Sequence, residues 1–353
     1  MTTRLPALDG LRAVAILTVV GSHVFTVVIP ASLGVTLFFF ISGFIITRLL
    51  LESHSERLSP FYVRRFFRLG PALVVYVASC IGAYLIVGGR IRWDDIAAAL
   101  FYYANYHDFK MPPMKTMWSL AVEEHFYVLF PVLLIALRNK PIILQRVLIT
   151  SLVACLLWRY FLVNLGYDAE RVQRGTDTRF DSIAYGCLLS LLFHRAKTVA
   201  SCRRFLDAMS HRWAFAVGFL LLLSSFVVRD ETFRQTLRYS MQGLAFSTFF
   251  CAIFWSRTAP DLLVRLLESR PAVFIGAISY SLYLYHEFGL IFSRALNETA
   301  FVEAVVALAI GIPATLISYY WVERPARHFG ALLAERLENG SVSPRQRAEI
   351  SGK

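Results

Sequence analysis

Charge is scarce in this sequence, and acidic charge is scarcer still. Asp, Glu, Lys and Arg make up 17% of its 353 residues, 24 of them acidic and 36 basic, against 57% hydrophobic residues. With a mean hydropathy of +0.55, this is not an ordinary soluble domain, whose charged share is about 25%. Cysteine is sparse, at five residues. Cys80, Cys155, Cys187, Cys202 and Cys251 lie mostly inside apolar segments and form no CxxC pair or His/Cys cluster. A disulfide framework, structural zinc and a catalytic metal are therefore not expected. The first apolar run lacks a small-residue cleavage site and carries Asp9, Arg12 and His23, which argues against a secretory leader. Internal repeats and low-complexity segments are also missing.

What is present is a series of apolar segments long enough to cross about 30 Å of hydrocarbon. They fall near 8–29, 35–51, 71–88, 117–137, 142–163, 181–194, 213–228, 239–256, 272–294 and 301–320. The stretch 94–107 is ambiguous. If it crosses, the basic loop with Arg195, Lys197, Arg203, Arg204 and Arg212 lands outside, against the positive-inside rule; if it is interfacial or re-entrant, that loop stays in the cytoplasm. The expectation is an all-α, polytopic bundle of about ten transmembrane helices with both termini cytoplasmic. Residues 1–330 form the membrane domain, and 331–353 a polar cytoplasmic tail expected to be disordered. The net charge of +12 is spread over short loops as a topology signal, so no nucleic-acid partner is expected.

Ionisable groups inside a bilayer are costly and mark function by default. Arg12 and His23 are roughly 16 Å apart along one helix, the first near the cytoplasmic end and the second in the outer half. In WSLAVEEHFY, Glu123 and Glu124 lie about 9 Å below the outer end of their span, a depth similar to that of His23. A carboxylate and an imidazole are thus expected to meet. Neighbouring residues diverge by about 100° on a helix, so one glutamate faces His23, and Glu123 shares a polar face with Ser119 and Tyr127. In FYVRRFFRLGPAL, Arg65 and Arg68 share a helical face suited to phosphates, although such arginines can equally just set topology.

A histidine oriented by a carboxylate can take a proton from a hydroxyl and make it a nucleophile towards an activated acyl group. With a cationic mouth for phosphates and an extended donor arm, coenzyme A fits the arrangement. The same groups could instead form a proton relay.

Several pieces together resemble the membrane-bound acyltransferase family 3, which includes O-antigen and exopolysaccharide O-acetyltransferases. They are LDGLRAVAIL with the Arg12–ten residues–His23 spacing, FFFISGFIIT, the RFFR of Arg65 to Arg68, WSLAVEEHFY, RFDSIAYGCLLS, SYSLYLYHEFG and YYWVERPAR. The resemblance covers nearly all of 5–330. It implies a bundle in a bacterial cytoplasmic membrane that moves an acyl group, most often acetyl, from cytoplasmic acyl-CoA to a hydroxyl of a saccharide or similar acceptor. It implies His23 as the essential histidine and Arg12, Arg65 and Arg68 on the donor side. His125 stands where the family usually has glutamine. Many relatives append an extracytoplasmic esterase-like domain, so this chain is expected to act alone or hand its acyl group to a separate extracytoplasmic partner.

His286, near Glu287 in the outer half of its span, is a candidate for substrate contact with Trp118 and Tyr127; a structural hydrogen bond is the alternative. Arg179 and Asp181 are expected to pair near the outer mouth. Glu323 and Arg324 read as a terminus anchor before Pro325 stops the last helix. Two mechanisms stay open, direct attack on the thioester or an acyl-histidine intermediate. The rival class is a proton-coupled transporter, against which stands the lack of paired Gly/Pro-broken spans in two matching halves.

Overall fold

The computed structural model describes residues 5–24, 30–53, 57–293 and 299–339. Among them every regular element is helical. The first half holds α1 (Pro6–Val24), α2 (Ala31–Glu52), α3 (Ser59–Ile86), α4 (Trp93–Leu100), α5 (Trp118–Ala136), α6 (Pro141–Asn164), α7 (Ala169–Arg174) and α8 (Thr176–Arg195). The second holds α9 (Ala200–Met209), α10 (Arg212–Val227), α11 (Glu231–Gln235), α12 (Leu237–Phe250), α13 (Asp261–Leu267), α14 (Arg270–Tyr285), α15 (Leu290–Ser293), α16 (Ala300–Ile317) and α17 (Arg324–Asn339).

Among the described residues, six helices are long and apolar enough to cross a membrane: 6–24, 31–52, 59–86, 112–136, 141–164 and 301–338. The pair α9 and α10, bent by 63°, adds a seventh if counted as one broken span. The other expected spans are helices too, but of different character. α8 is the clearest case, with Asp177, Arg179 and Asp181 in its first turns. It packs against α2, α5, α6 and α12, and a helix shielded by protein needs no apolar coat. Helix α4 has eight residues, about 12 Å of helix. The ambiguous stretch 94–107 therefore contains no helix of spanning length.

The chain divides into two compact units, 1–52 with 92–279 and 53–91 with 280–353. In the first, α2 and α8 run parallel at close range because a glycine on each faces the backbone of the other. A Cβ on Gly186 would overlap the Phe40 carbonyl, and one on Gly43 the Ile183 carbonyl. Small residues of this kind let membrane helices approach when water provides no drive. Beside them sits an aromatic core. Phe40 lies 4.7 Å from Phe250 and Phe44 lies 5.3 Å from Phe250, centroid to centroid. Phe39 and Phe40, in the phenylalanine-rich second span, are buried packing residues.

In the second unit α3 packs against α17. Phe67 meets Phe329 at 5.1 Å, Arg64 pairs with Glu338, and Tyr280 donates to the Leu69 carbonyl at 2.9 Å. Glu323 is buried and accepts from Ser281 Oγ at 2.8 Å, a carboxylate anchored inside its unit. Pro325 does not stop the helix, contrary to expectation. A π-helical stretch, Ser318–Glu323, precedes it, and the proline occupies the first turn of α17, where an amide donor is dispensable. Residues 331–339, read from sequence as disordered tail, are the end of α17; 340–353 lie outside the described residues.

Candidate functional site

Helix α1 meets α2 in antiparallel register. The Ala31 amide donates to Ser22 Oγ at 3.0 Å, and Gly34 lies against Ala15 and Val19. Further along, α2 meets α5. Phe39 packs edge-to-face on Trp118 at 6.2 Å, and Ser42 Oγ donates to Glu123 Oε1 at 2.8 Å. From Gly34 to Ser42 is roughly 12 Å of helix, and from Val19 to His23 roughly 6 Å in the opposite sense.

Glu123 is therefore level with the first turns of α1, at the height of Arg12, and not with His23. The expected meeting of Glu123 and His23, built on equal depths below two span ends, is corrected. The cause is the 3-10 segment Pro112–Met117 ahead of α5, after which Trp118 starts level with the interior of α2. His23 sits in the last turn of α1, half-buried. Glu124 is half-buried as well, while Ser119 and Tyr127 are buried.

In the second unit, Arg65 and Arg68 are half-buried on α3, three residues apart and so on one face. His286 is 2% exposed, and its Nδ1 lies 2.7 Å from the Tyr283 carbonyl. A carbonyl only accepts, so Nδ1 carries a proton.

His125 points away from Glu123, with its Nδ1 2.7 Å from Thr176 Oγ1. That hydroxyl also accepts from Asn105 at 2.9 Å. One threonine thus fastens α5, the start of α8 and the 104–106 turn together. Next to it Asp177 takes both guanidinium nitrogens of Arg171, at 3.0 and 2.7 Å, and the Trp158 indole at 2.6 Å.

Asp94, Asp95 and His107 bring ligand atoms within 4.8 Å of one another. Their bonds are those of a loop clasp, however. Buried Asp95 accepts from His107 Nε2 at 2.7 Å and from the amides of Lys110 and Met111 at 2.9 and 2.6 Å. Asp94 pairs with Arg92 at 2.9 Å.

Two features escaped the sequence reading. One is a cavity of about 570 Å³ in the first unit, where α1 begins, lined by Arg48, His194, Lys197, Phe254, Trp255 and Arg257 among others. Its cations come from three separated segments, a convergence no local motif announces. The other lies at the opposite helix ends. Asp181 pairs with Arg159 of α6 at 2.7 Å, and not with Arg179 as expected. Arg179 turns to Thr36 Oγ1 at 2.8 Å and lies over the Tyr239 ring at 3.8 Å. Arg159 was open to detection, since a charge inside the span 142–163 meets the same test that singled out His23.

A family model described as "Acyltransferase domain" matches residues 5–323. A Staphylococcus aureus protein (strain COL) named "Putative O-acetyltransferase SACOL0978" is 32% identical over 92% of this chain and 58% of its own length. "O-acetyltransferase OatA" of Staphylococcus aureus (strain NCTC 8325 / PS 47) is 30% identical over the same shares. The chain thus spans 58% of the length of these relatives. No solved structure matches it significantly.

Proposed function

The chain belongs to the family of this acyltransferase domain, and on that premise we propose that it is a multi-pass membrane O-acyltransferase. It moves an acyl group, acetyl first among them, from cytoplasmic acyl-CoA to a hydroxyl of a saccharide or similar acceptor. The observation that carries this reading is a likeness to proteins named O-acetyltransferase that extends over 92% of the chain. The proposed setting is a bacterial cytoplasmic membrane, crossed about ten times with both termini inside, as the distribution of arginines favours.

In the proposed reaction His23 is the general base. Its imidazole takes the hydroxyl proton as the oxygen attacks the thioester carbonyl, and the imidazolium returns that proton to the departing thiolate. Arg12, Arg65 and Arg68 are assigned to the donor's phosphates, which guanidinium forks hold in bidentate fashion. Glu123, level with Arg12, is assigned to the donor end, where a carboxylate orients a guanidinium. The cavity beside α1 offers Lys197, Arg257 and His194 near the faces of Phe254 and Trp255, a chemistry suited to the donor's nucleotide. Trp118 and His286 are assigned to the acceptor.

The test is acetyl-CoA consumption by the purified protein with and without a saccharide acceptor. Acceptor-dependent release of free thiol with acetylated product supports the reading. Movement of protons or solute in proteoliposomes with no thiol release supports a transporter instead.

A further inference from the structure

Three arginines surround a single tyrosine ring in the first unit. The guanidinium carbons of Arg159, Arg179 and Arg238 lie 5.3, 3.8 and 5.2 Å from the Tyr239 ring centre. Arg159 and Arg179 are 0% exposed, Arg238 is 6% and Tyr239 is 1%. They come from α6, α8 and α12, within one to two turns of helix ends that also include the start of α2, through Thr36.

The only carboxylate tied to these arginines among the described residues is Asp181, and it pairs with Arg159 at 2.7 Å. Arg159 is further held by the Thr178 carbonyl at 2.7 Å and Ser240 Oγ at 3.3 Å. Arg179 has no carboxylate. Its Nη2 donates to Thr36 Oγ1, while Nε and Nη1 are buried without a hydrogen-bond acceptor, as is Nε of Arg238. Stacking on Tyr239 supplies a cation–π contact, but the ring face satisfies no N–H; the tyrosine hydroxyl accepts from Nη2 of Arg238 at 3.2 Å. Three positive charges against one negative leave two uncompensated, in a bundle where each is costly unless paired. A merely structural cluster would be balanced, as the Arg171–Asp177 pair is.

We propose that Arg179 and Arg238, backed by Arg159 and Tyr239, form a binding site for an oxyanion, the phosphate or carboxylate of an acceptor or of an anionic lipid head group. Two guanidinium groups that share one tyrosine ring and keep unused N–H donors offer the chemistry that both anions accept. Arg238, the most exposed member at 6%, is where the anion first makes contact. The word acceptor rests on the acyl-transfer reading. The binding test needs no turnover, so failure of either leaves the other standing.

The experiment is thermal unfolding of the full-length purified protein. Inorganic phosphate is titrated against chloride at constant ionic strength, and in parallel the protein is placed in nanodiscs of phosphatidylcholine with or without phosphatidylglycerol. The wild-type Tm is expected to rise in at least one arm, by about 2 °C at ten times Kd. Arg179→Gln loses that rise, and its Tm without anion equals or exceeds the wild-type value because an uncompensated charge has gone. Arg238→Gln, at the more exposed position, weakens the rise and serves if Arg179→Gln fails to fold. A response to phosphate identifies a soluble or acceptor-borne anion, and a response to phosphatidylglycerol alone identifies a lipid head group. No wild-type response in either arm overturns the proposal, and so does a rise that survives both substitutions.

Discussion

Ser42 Oγ and Glu123 Oε1 are joined by a hydrogen bond of 2.8 Å that sets the level of α5 against α2. Because Gly34, near the start of α2, packs at Ala15 and Val19 of α1, the same contact sets Glu123 well away from His23 along the helix axis. Acid and imidazole then stand at different levels of the first unit.

Ser42→Ala removes a donor from a half-buried carboxylate and is expected to cost about 1–3 kcal/mol. Glu123→Gln keeps an acceptor for the serine and costs less. Thermal unfolding of the two purified variants measures the difference. If Ser42→Ala matched the wild type, the bond would not be fixing α5.

Gly186→Ala places a methyl group against the Phe40 carbonyl at the α2–α8 contact. Backbone has to move to admit it, and overpacking of this kind typically costs about 1–3 kcal/mol. Gly82→Ala is the matched control, since a Cβ there meets nothing within 4 Å, and it gains helix propensity. Folded yield and Tm should drop for the first and hold or rise for the second; equal behaviour would contradict the glycine contact.

His125→Gln should keep the link to Thr176, because an amide can donate to or accept from that hydroxyl. Activity within about twofold of wild type is expected, whereas His125→Ala unties α5 from Thr176 and lowers stability, and Tm with it, by an amount typical of one lost hydrogen bond, about 1 kcal/mol. A large loss of turnover in His125→Gln with an unchanged Tm would instead make this imidazole part of the chemistry.

Asp95→Ala strips the acceptor from His107 and from the amides of Lys110 and Met111. Leaving buried donors unsatisfied costs about 1–3 kcal/mol each. The 107–111 loop should become the first site of limited proteolysis. Cleavage elsewhere at an unchanged rate would show that the clasp does not hold this loop.

Helices were largely legible in the sequence, because apolar length is a local signal. Depth was not. The level of Glu123 depends on how far the chain descends through Pro112–Met117 before α5 begins, and apolarity does not record that descent. Pro325 misled for a related reason: the π-helical turn before it removes the conflict that normally ends a helix. Asp181 was placed with Arg179, two residues away, when its partner Arg159 is on another helix. Such pairings are decided by packing between helices, and one sequence carries no record of them. The amphipathic last turns of α17 were lost in the polarity of the tail that follows.

The central claim is that the neutral imidazole of His23 takes the acceptor's proton. It is tested most directly by kcat/KM for acyl transfer from acetyl-CoA in wild type and His23→Ala, at matched folded fraction and across pH. A general base works unprotonated, so the wild-type rate should fall as pH drops through the imidazole range, with His23→Ala at least about 100-fold slower and lacking that pH dependence. Equal rates in the two proteins, or the same pH profile in both, would contradict the account.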